Sequence, residues 1–187
     1  MRKLKLQMQL SLDGFVAGAK GEMDWLVWNW DDELKKYVND MTEPVDCILL
    51  GRKLADGFIP TWKAMLSKPE TADSFAQKMV DTHKVIFSKT LKKSAWENTE
   101  LADGDITEEI PRFKNKKGGE IIVYGGGNFV SNLIKHGLID EYNFFINPVA
   151  IGNGMTIFTT IENKRNLKLV TSKSFECGIT LLRYQSV

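Results

Sequence analysis

Apolar and polar positions alternate with two different periods along this chain, and the switches between them divide it into short elements. Leu6, Met8 and Leu10 alternate with Gln7 and Gln9, which predicts a strand over 3–10. The runs VDCILL at 45–50, KVIF at 84–87 and EIIVY at 120–124 are short and rich in β-branched or aromatic residues, the signature of strands buried on both faces. Further strands are predicted over 99–102, 141–149, 167–175 and 179–184. Helical periodicity fills the spaces between. Leu34, Tyr37, Val38 and Met41 share one face behind Asp31, Asp32 and Glu33, whose charges complement the helix dipole. Pro69 opens a second helix with Ala72, Phe75, Ala76, Met79 and Val80 on its stripe. Asp105-x-x-Glu108 resembles a capping box for a third over 105–114, although Pro111 falls in its interior. A fourth follows the triple glycine: Asn128 is its expected N-cap, Phe129, Leu133 and His136 form its stripe, and Gly137 ends it. The order is α/β, with a mostly parallel central sheet, helices on both faces, and an antiparallel edge from the last two strands, which join around Glu176, Cys177 and Gly178.

Length and charge narrow the function classes. A chain of 187 residues is expected to form one domain over 1–187 and to bury about 70% of its unfolded surface without covalent staples. With 25 basic against 24 acidic side chains the net charge is +1, which gives no footprint for nucleic acid or a membrane surface. The alternating start is not the continuous apolar core of a signal peptide, and no apolar stretch approaches ~18 residues. Cys47, inside an apolar run, and Cys177, in a hairpin turn, read as reduced thiols of a cytoplasmic protein. His83 and His136 are too few and too scattered for a zinc site, so no metal is expected.

The candidate chemistry starts at Gly125, Gly126 and Gly127. Three successive glycines cost about 0.5–1 kcal/mol each relative to alanine in a regular element, so a turn that binds nothing has little use for them. Placed between a buried strand and a helix start, they expose backbone N–H groups to an anion. The spacing is not the dinucleotide fingerprint G-x-G-x-x-G, because Val130 stands where the third glycine belongs. In open α/β sheets, ligands gather at the carboxyl ends of strands. There the sequence places a long glycine-punctuated loop from Ser11, then Gly51, Arg52 and Lys53, then Ser88 and Lys89. Arg52 and Lys53 fit either phosphate contacts or a solvated helix start; agreement with two other strand ends favours phosphate.

The segments SLDGFVAG, DCILLGRK, KVIFSKTL, GGEIIVYGGGNFVSNLI and LIDEYNFFINPVAIGNG together resemble the dihydrofolate reductase-like superfamily, above all the reductase domain of the riboflavin-pathway deaminase and reductase. The resemblance spans nearly the whole chain and implies a three-layer fold and an NADPH-dependent reductase acting on a small planar heterocycle, pterin- or pyrimidine-like. It places Gly51, Arg52, Lys53, Gly125, Gly126, Gly127, Asn128 and Phe129 against the cofactor, and Ser88 and Lys89 at the phosphate that distinguishes NADPH from NADH. It implies Trp25 and Asp32 as catalytic residues, and Asp13, Trp28, Asp31 and Asp56 as substrate contacts. Read from the residues alone, capping a helix is favoured over a ring contact for Asp31 and Asp32, and the tryptophans equally fill a core or a subunit interface. Relatives also imply a cytoplasmic homodimer joined at a sheet edge, for which the strand 141–149 and the terminal hairpin are candidates. The sequence lacks the Asp-Asp-Pro motif for a phosphoribosyl group, keeping only Asp56 and a displaced Pro60. Two other readings stay open: a nucleotide-binding module without turnover, and an authentic dihydrofolate reductase.

Overall fold

A computed structural model describes residues 1–187, and the buried hydrophobic runs within them assemble one eight-stranded sheet. Its strands are β1 (Leu4–Ser11), β2 (Val45–Gly51), β3 (His83–Phe87), β4 (Thr99–Ala102), β5 (Glu120–Val123), β6 (Glu141–Asn147), β7 (Leu167–Ser174) and β8 (Thr180–Ser186). The helices are α1 (Asp32–Thr42), α2 (Arg52–Leu66), α3 (Ser74–Asp81), α4 (Ile106–Asn115) and α5 (Gly127–Lys135). The strand order is β4-β3-β2-β5-β1-β6-β8-β7. Strands β1 to β6 pair in parallel, and β8 and β7 add antiparallel at one edge, as the terminal hairpin predicts.

Strand periodicity sorts the core into two layers. Leu4, Leu6, Met8 and Leu10 of β1 face the side covered by Ile110 and Phe113 of α4 and Val130, Leu133 and Ile134 of α5. The other side carries Ile48, Leu50, Ile86, Ile122 and Phe145 beneath α1, α2 and α3. Burying each such side chain stabilises the fold by about 1.5–3 kcal/mol before entropy is counted. The polar alternates of β1 are covered too: Lys5 and Gln7 are buried, and the Lys5 ammonium donates to the Met41 carbonyl at the C-terminus of α1.

Several expected boundaries shift. The helix opened by Pro69 begins at Ser74, because Asp73 accepts the Ala76 N–H and is the stronger start signal. The third helix runs through Pro111; Asp105 accepts from Thr107 N–H, one residue short of the expected capping box. The segment 52–66, where Gly57 and Pro60 obscure the period, is a fifteen-residue helix. Strand β6 ends at Asn147 and lies inside the sheet between β1 and β8, so it is no edge; the exposed edge is β7, with Leu169 and Val170 turned outward.

Lys84 at the start of β3 shows how tightly the strands are packed. Its buried ammonium donates to the carbonyls of Val80 (2.8 Å) and Thr82 (2.5 Å), and burial lowers its pKa to about 8. Below pH 8 the group is charged in both folded and unfolded chains, so its desolvation costs stability; that cost fades as pH rises from about 8 toward the ordinary lysine value. Wild type should therefore gain stability relative to Lys84→Met between pH 7 and pH 10. The gain should be about 2 kcal/mol, because only about two pH units of the separation between folded and unfolded pKa fall inside this window and each is worth at most about 1.36 kcal/mol. Urea unfolding of both proteins at the two pH values checks this, and parallel stability curves would contradict it.

Candidate functional site

The five helices begin in two different ways. Asp31, Asp73 and Asp105 cap α1, α3 and α4 with their carboxylates. The N-caps of α2 and α5 are Gly51 and Gly126, and no side chain caps either helix. A helix N-terminus leaves N–H groups without intrahelical partners and carries about half a positive charge. These two uncapped ends meet. Strand β2 lies between β3 and β5, so the turns after Gly51, Phe87 and Val123 emerge side by side. A Cβ built on Gly126 would stand 3.2 Å from the Gly51 Cα, and one on Gly51 would stand 3.1 Å from the Phe129 Cβ.

The triple glycine therefore has two jobs. Gly126 (φ 85°) lies against the Gly51 backbone and is required by the close approach of the two turns, while Gly125, beside the side-chain ends of Leu54 and Met8, is required by its φ of 149°, which L side chains rarely adopt. Gly127 alone faces open space, with nothing within 4 Å of where its Cβ would be. Gly126 takes the N-cap position expected for Asn128, because its left-handed backbone starts the helix earlier in the chain. Asn128 is a first-turn residue of α5 instead. The Phe129 ring stacks on Phe87 at 4.6 Å, so Phe129 serves packing with its side chain and offers only its N–H outward.

Cationic groups surround this point. Arg52, in the first turn of α2, pairs with Asp56 and lies 5.9 Å from the Trp96 ring, while its Nε is buried without a partner. Lys53 is exposed beside it. At the end of β3 the Ser88 hydroxyl accepts the N–H groups of Thr90 (3.2 Å) and Leu91 (3.1 Å), which folds the loop back and leaves Lys89 exposed. Lys92 and Lys93, which carry no signal in a local reading of the sequence, are exposed on the same short loop.

The carboxylates expected at the substrate end are placed differently. Asp13 accepts from the Ser11 hydroxyl (2.6 Å) and from Gly152 N–H (2.7 Å), bonds that hold its pKa below the usual carboxylate range and tie the first loop to the 148–154 loop. Asp31 accepts from Leu34 N–H (2.8 Å) and Cys177 N–H (3.0 Å), which lower its pKa in the same way. Asp32 is fully exposed in the first turn of α1, where it is paired with Lys35 and makes no hydrogen bond or ion pair with Trp25 or the glycine turn. Asp56 is bound to Arg52. Trp25 donates to the Glu22 carbonyl, and Trp28 is 72% exposed; Trp30, donating to the Val27 carbonyl, is the tryptophan of this segment that packs on the core. Asn147, not anticipated from sequence, is fully buried and accepts the Val27 N–H (2.9 Å) while donating to Gln9 (2.8 Å), which pins this loop to the sheet.

A polar concavity of about 290 Å³ lies at the opposite end of the strands, between Gly137, Tyr142, Arg165 and Ser186, and shares no residue with the glycine turn. The convergence of helix ends, not cavity size, marks the site.

Comparison with known proteins agrees with this architecture. Residues 2–181 match the family model described as the RibD C-terminal domain. The chain is 32% identical over 187 residues to the uncharacterized protein YyaP of Bacillus subtilis, covering 98% of this chain and 94% of that one. Among solved structures, a putative riboflavin biosynthesis protein from Shewanella sp. PV-4 superposes with TM-score 0.76 at 21% identity, covering 100% of this chain and 99% of the other. Dihydrofolate reductase from Enterococcus faecalis, complexed with NADP(H) and RAB-propyl, superposes with TM-score 0.61 at 16% identity, over 98% and 96% of the two chains.

Proposed function

The chain belongs to the RibD C-terminal domain family, and from that premise we propose that it is an NADPH-dependent reductase of a small planar heterocycle. The observation that carries this reading is the meeting of two helix N-termini, both capped by glycine, in a protein whose other three helices carry aspartate caps. A carboxylate at Gly51 or Gly126 would fill the donors and repel an anion; glycine leaves the N–H groups and both dipoles for a diphosphate. Arg52 and Lys53 add charge beside them, and Lys89, Lys92 and Lys93 suit the additional ribose phosphate of NADPH. When bound, the cofactor supplies the hydride. The chain's part is to hold the diphosphate, fix the ring by packing, and exclude water.

A second reading, a nucleotide-binding module without turnover, draws on the carboxylates. Asp13 and Asp31 are committed to backbone N–H groups and Asp32 faces solvent, so none of them is a buried acid at the site. Fluorescence titration tests the shared nucleotide claim. NADPH is expected to bind at least about ten times more tightly than NADH, a difference of roughly 1.4 kcal/mol for the extra phosphate contacts. Unchanged NADPH fluorescence at saturating protein would remove both readings. Oxidation of NADPH by any member of a pterin and pyrimidine panel separates the enzyme from the module.

A further inference from the structure

The polar concavity at the end of the strands opposite the glycine turn has a rigid floor and a cationic rim. Tyr142 of β6, 2% exposed, and Ser186 of β8 form the floor. Ser186 is fixed in place: its N–H donates to the Asp140 carbonyl (3.1 Å) and its hydroxyl to the Ile139 carbonyl (2.6 Å). The Tyr142 hydroxyl lies beside it, and burial raises its pKa, so the phenol keeps its proton and can donate it in a hydrogen bond. Lys164, Arg165 and Asn166, consecutive in the loop before β7, form the rim.

Arg165 is positioned by α5. Its Nη2 donates to the Lys135 carbonyl in the last helical turn, and its Nη1 lies over Gly137, 2.9 Å from where a Cβ would stand. A helix C-terminus favours a cation, so capping accounts for one N–H of this guanidinium. It accounts neither for the remaining N–H groups, which have no partner in the chain, nor for Lys164 beside it. The carboxylates nearest the concavity are already engaged: Glu162 pairs with Lys135, and Asp140 pairs with Lys114. No acidic side chain lines the concavity itself. Two adjacent cations that border one space repel each other, and with the phenol and the Asn166 amide they make a set of donors that lacks a matching acceptor.

We infer that this concavity is a second ligand site, which takes a small phosphate monoester: Arg165 and Lys164 hold the dianionic head, the Tyr142 hydroxyl donates to it from the floor, and Asn166 and Ser186 face a polar tail. Its volume of about 290 Å³ lies just below the usual range for small-molecule pockets, about 300–1,000 Å³, so it suits a ligand of this size and not a dinucleotide. A guanidinium fork and an ammonium point charge together match the tetrahedral oxygens of a phosphate better than the planar ends of a dicarboxylate. The site goes beyond the reductase reading and does not depend on it. Helix α5, nine residues or about 14 Å long at ~1.5 Å per residue, starts at the glycine turn and ends beside Arg165, so both places can be occupied at once.

Glycerol 3-phosphate is the probe and succinate the dicarboxylate control, each titrated into the full chain and followed by residue-resolved NMR and calorimetry; Val187 lies at the rim, so no tag is placed after it. The amides of Gly137, Arg165 and Asn166 should shift together and saturate below ~10 mM glycerol 3-phosphate, and succinate should bind at least about tenfold more weakly. Saturating NADPH should leave that midpoint unchanged. Arg165→Gln should weaken probe binding about tenfold and Tyr142→Phe, which keeps the buried ring, about fivefold, since each removes a hydrogen bond to a charged group. Both variants should bind NADPH as the wild type does. Shifts confined to Gly127, Arg52 and Lys53 or to Lys92 and Lys93, displacement of the probe by NADPH, equal binding of succinate, or unchanged affinity in Arg165→Gln would overturn the inference. Should Tyr142→Phe fail to fold, the map of shifted amides and Arg165→Gln still decide. Probe binding beside Arg165 without NADPH binding would defeat the reductase reading and leave this site standing; NADPH binding without probe binding would do the reverse.

Discussion

Gly127→Asp is expected to fold normally and to weaken NADPH binding by about a hundredfold, through charge repulsion alone. Gly127 has no positive φ, and its Cβ would meet nothing within 4 Å, so a side chain fits there without strain. A carboxylate in the first turn of α5 also complements the helix dipole, which should leave stability unchanged or raise it by about 0.3–1 kcal/mol. The same carboxylate would stand against the diphosphate. Two unit charges about 5 Å apart at an effective dielectric near 20 repel by about 3 kcal/mol, somewhat more than a factor of 100 in affinity. Thermal unfolding and NADPH fluorescence on the same preparation measure both effects. A stable Gly127→Asp protein that binds NADPH like the wild type would show that the diphosphate does not approach this turn.

Gly126→Ala, one residue away, should behave in the opposite manner. Its φ of 85° lies where an L side chain costs about 1–2 kcal/mol. The new methyl would also press on the Gly51 Cα at 3.2 Å, a contact with backbone that cannot rotate aside. Overpacking of that kind adds about 1–3 kcal/mol, so a total loss of about 2–5 kcal/mol is expected in urea unfolding. The turns after β2 and β5 would separate, and NADPH affinity would fall with the fold. An unchanged unfolding midpoint for Gly126→Ala would mean that the two turns are less closely joined than their geometry requires. Together the two variants separate glycine needed for packing from glycine needed for access.

The strands were legible because their composition and period are unambiguous: VDCILL and EIIV became β2 and β5 at the expected places. Helix α2 was not, since Gly57 and Pro60 interrupt a period that the packing of Phe58 on Trp62 and Tyr124 nevertheless supports. The glycine run was visible as a site, but its division of labour was not. That Gly125 and Gly126 accommodate Leu54, Met8 and the Gly51 backbone depends on contacts between segments far apart in the chain, which no local pattern encodes. The contrast between aspartate-capped and glycine-capped helices could have been found in sequence only with the starts of α2 and α5 already known. Short-range pattern likewise could not assign the carboxylates: Asp13 and Asp31 look available in the sequence, yet both are taken by N–H groups of distant loops, Gly152 and Cys177. On β1 the alternation predicts a strand, but not that α1 covers its polar side as well.

If backbone amides where α2 and α5 meet hold the diphosphate, a residue-resolved NMR titration with NADPH will show it. The amide resonances of Gly127, Asn128, Phe129, Arg52 and Lys53 should shift together and saturate at one common midpoint, ahead of any change near Gly137 and Arg165. Saturable binding that leaves these five amides unmoved, or moves only the far end of the sheet, would contradict it.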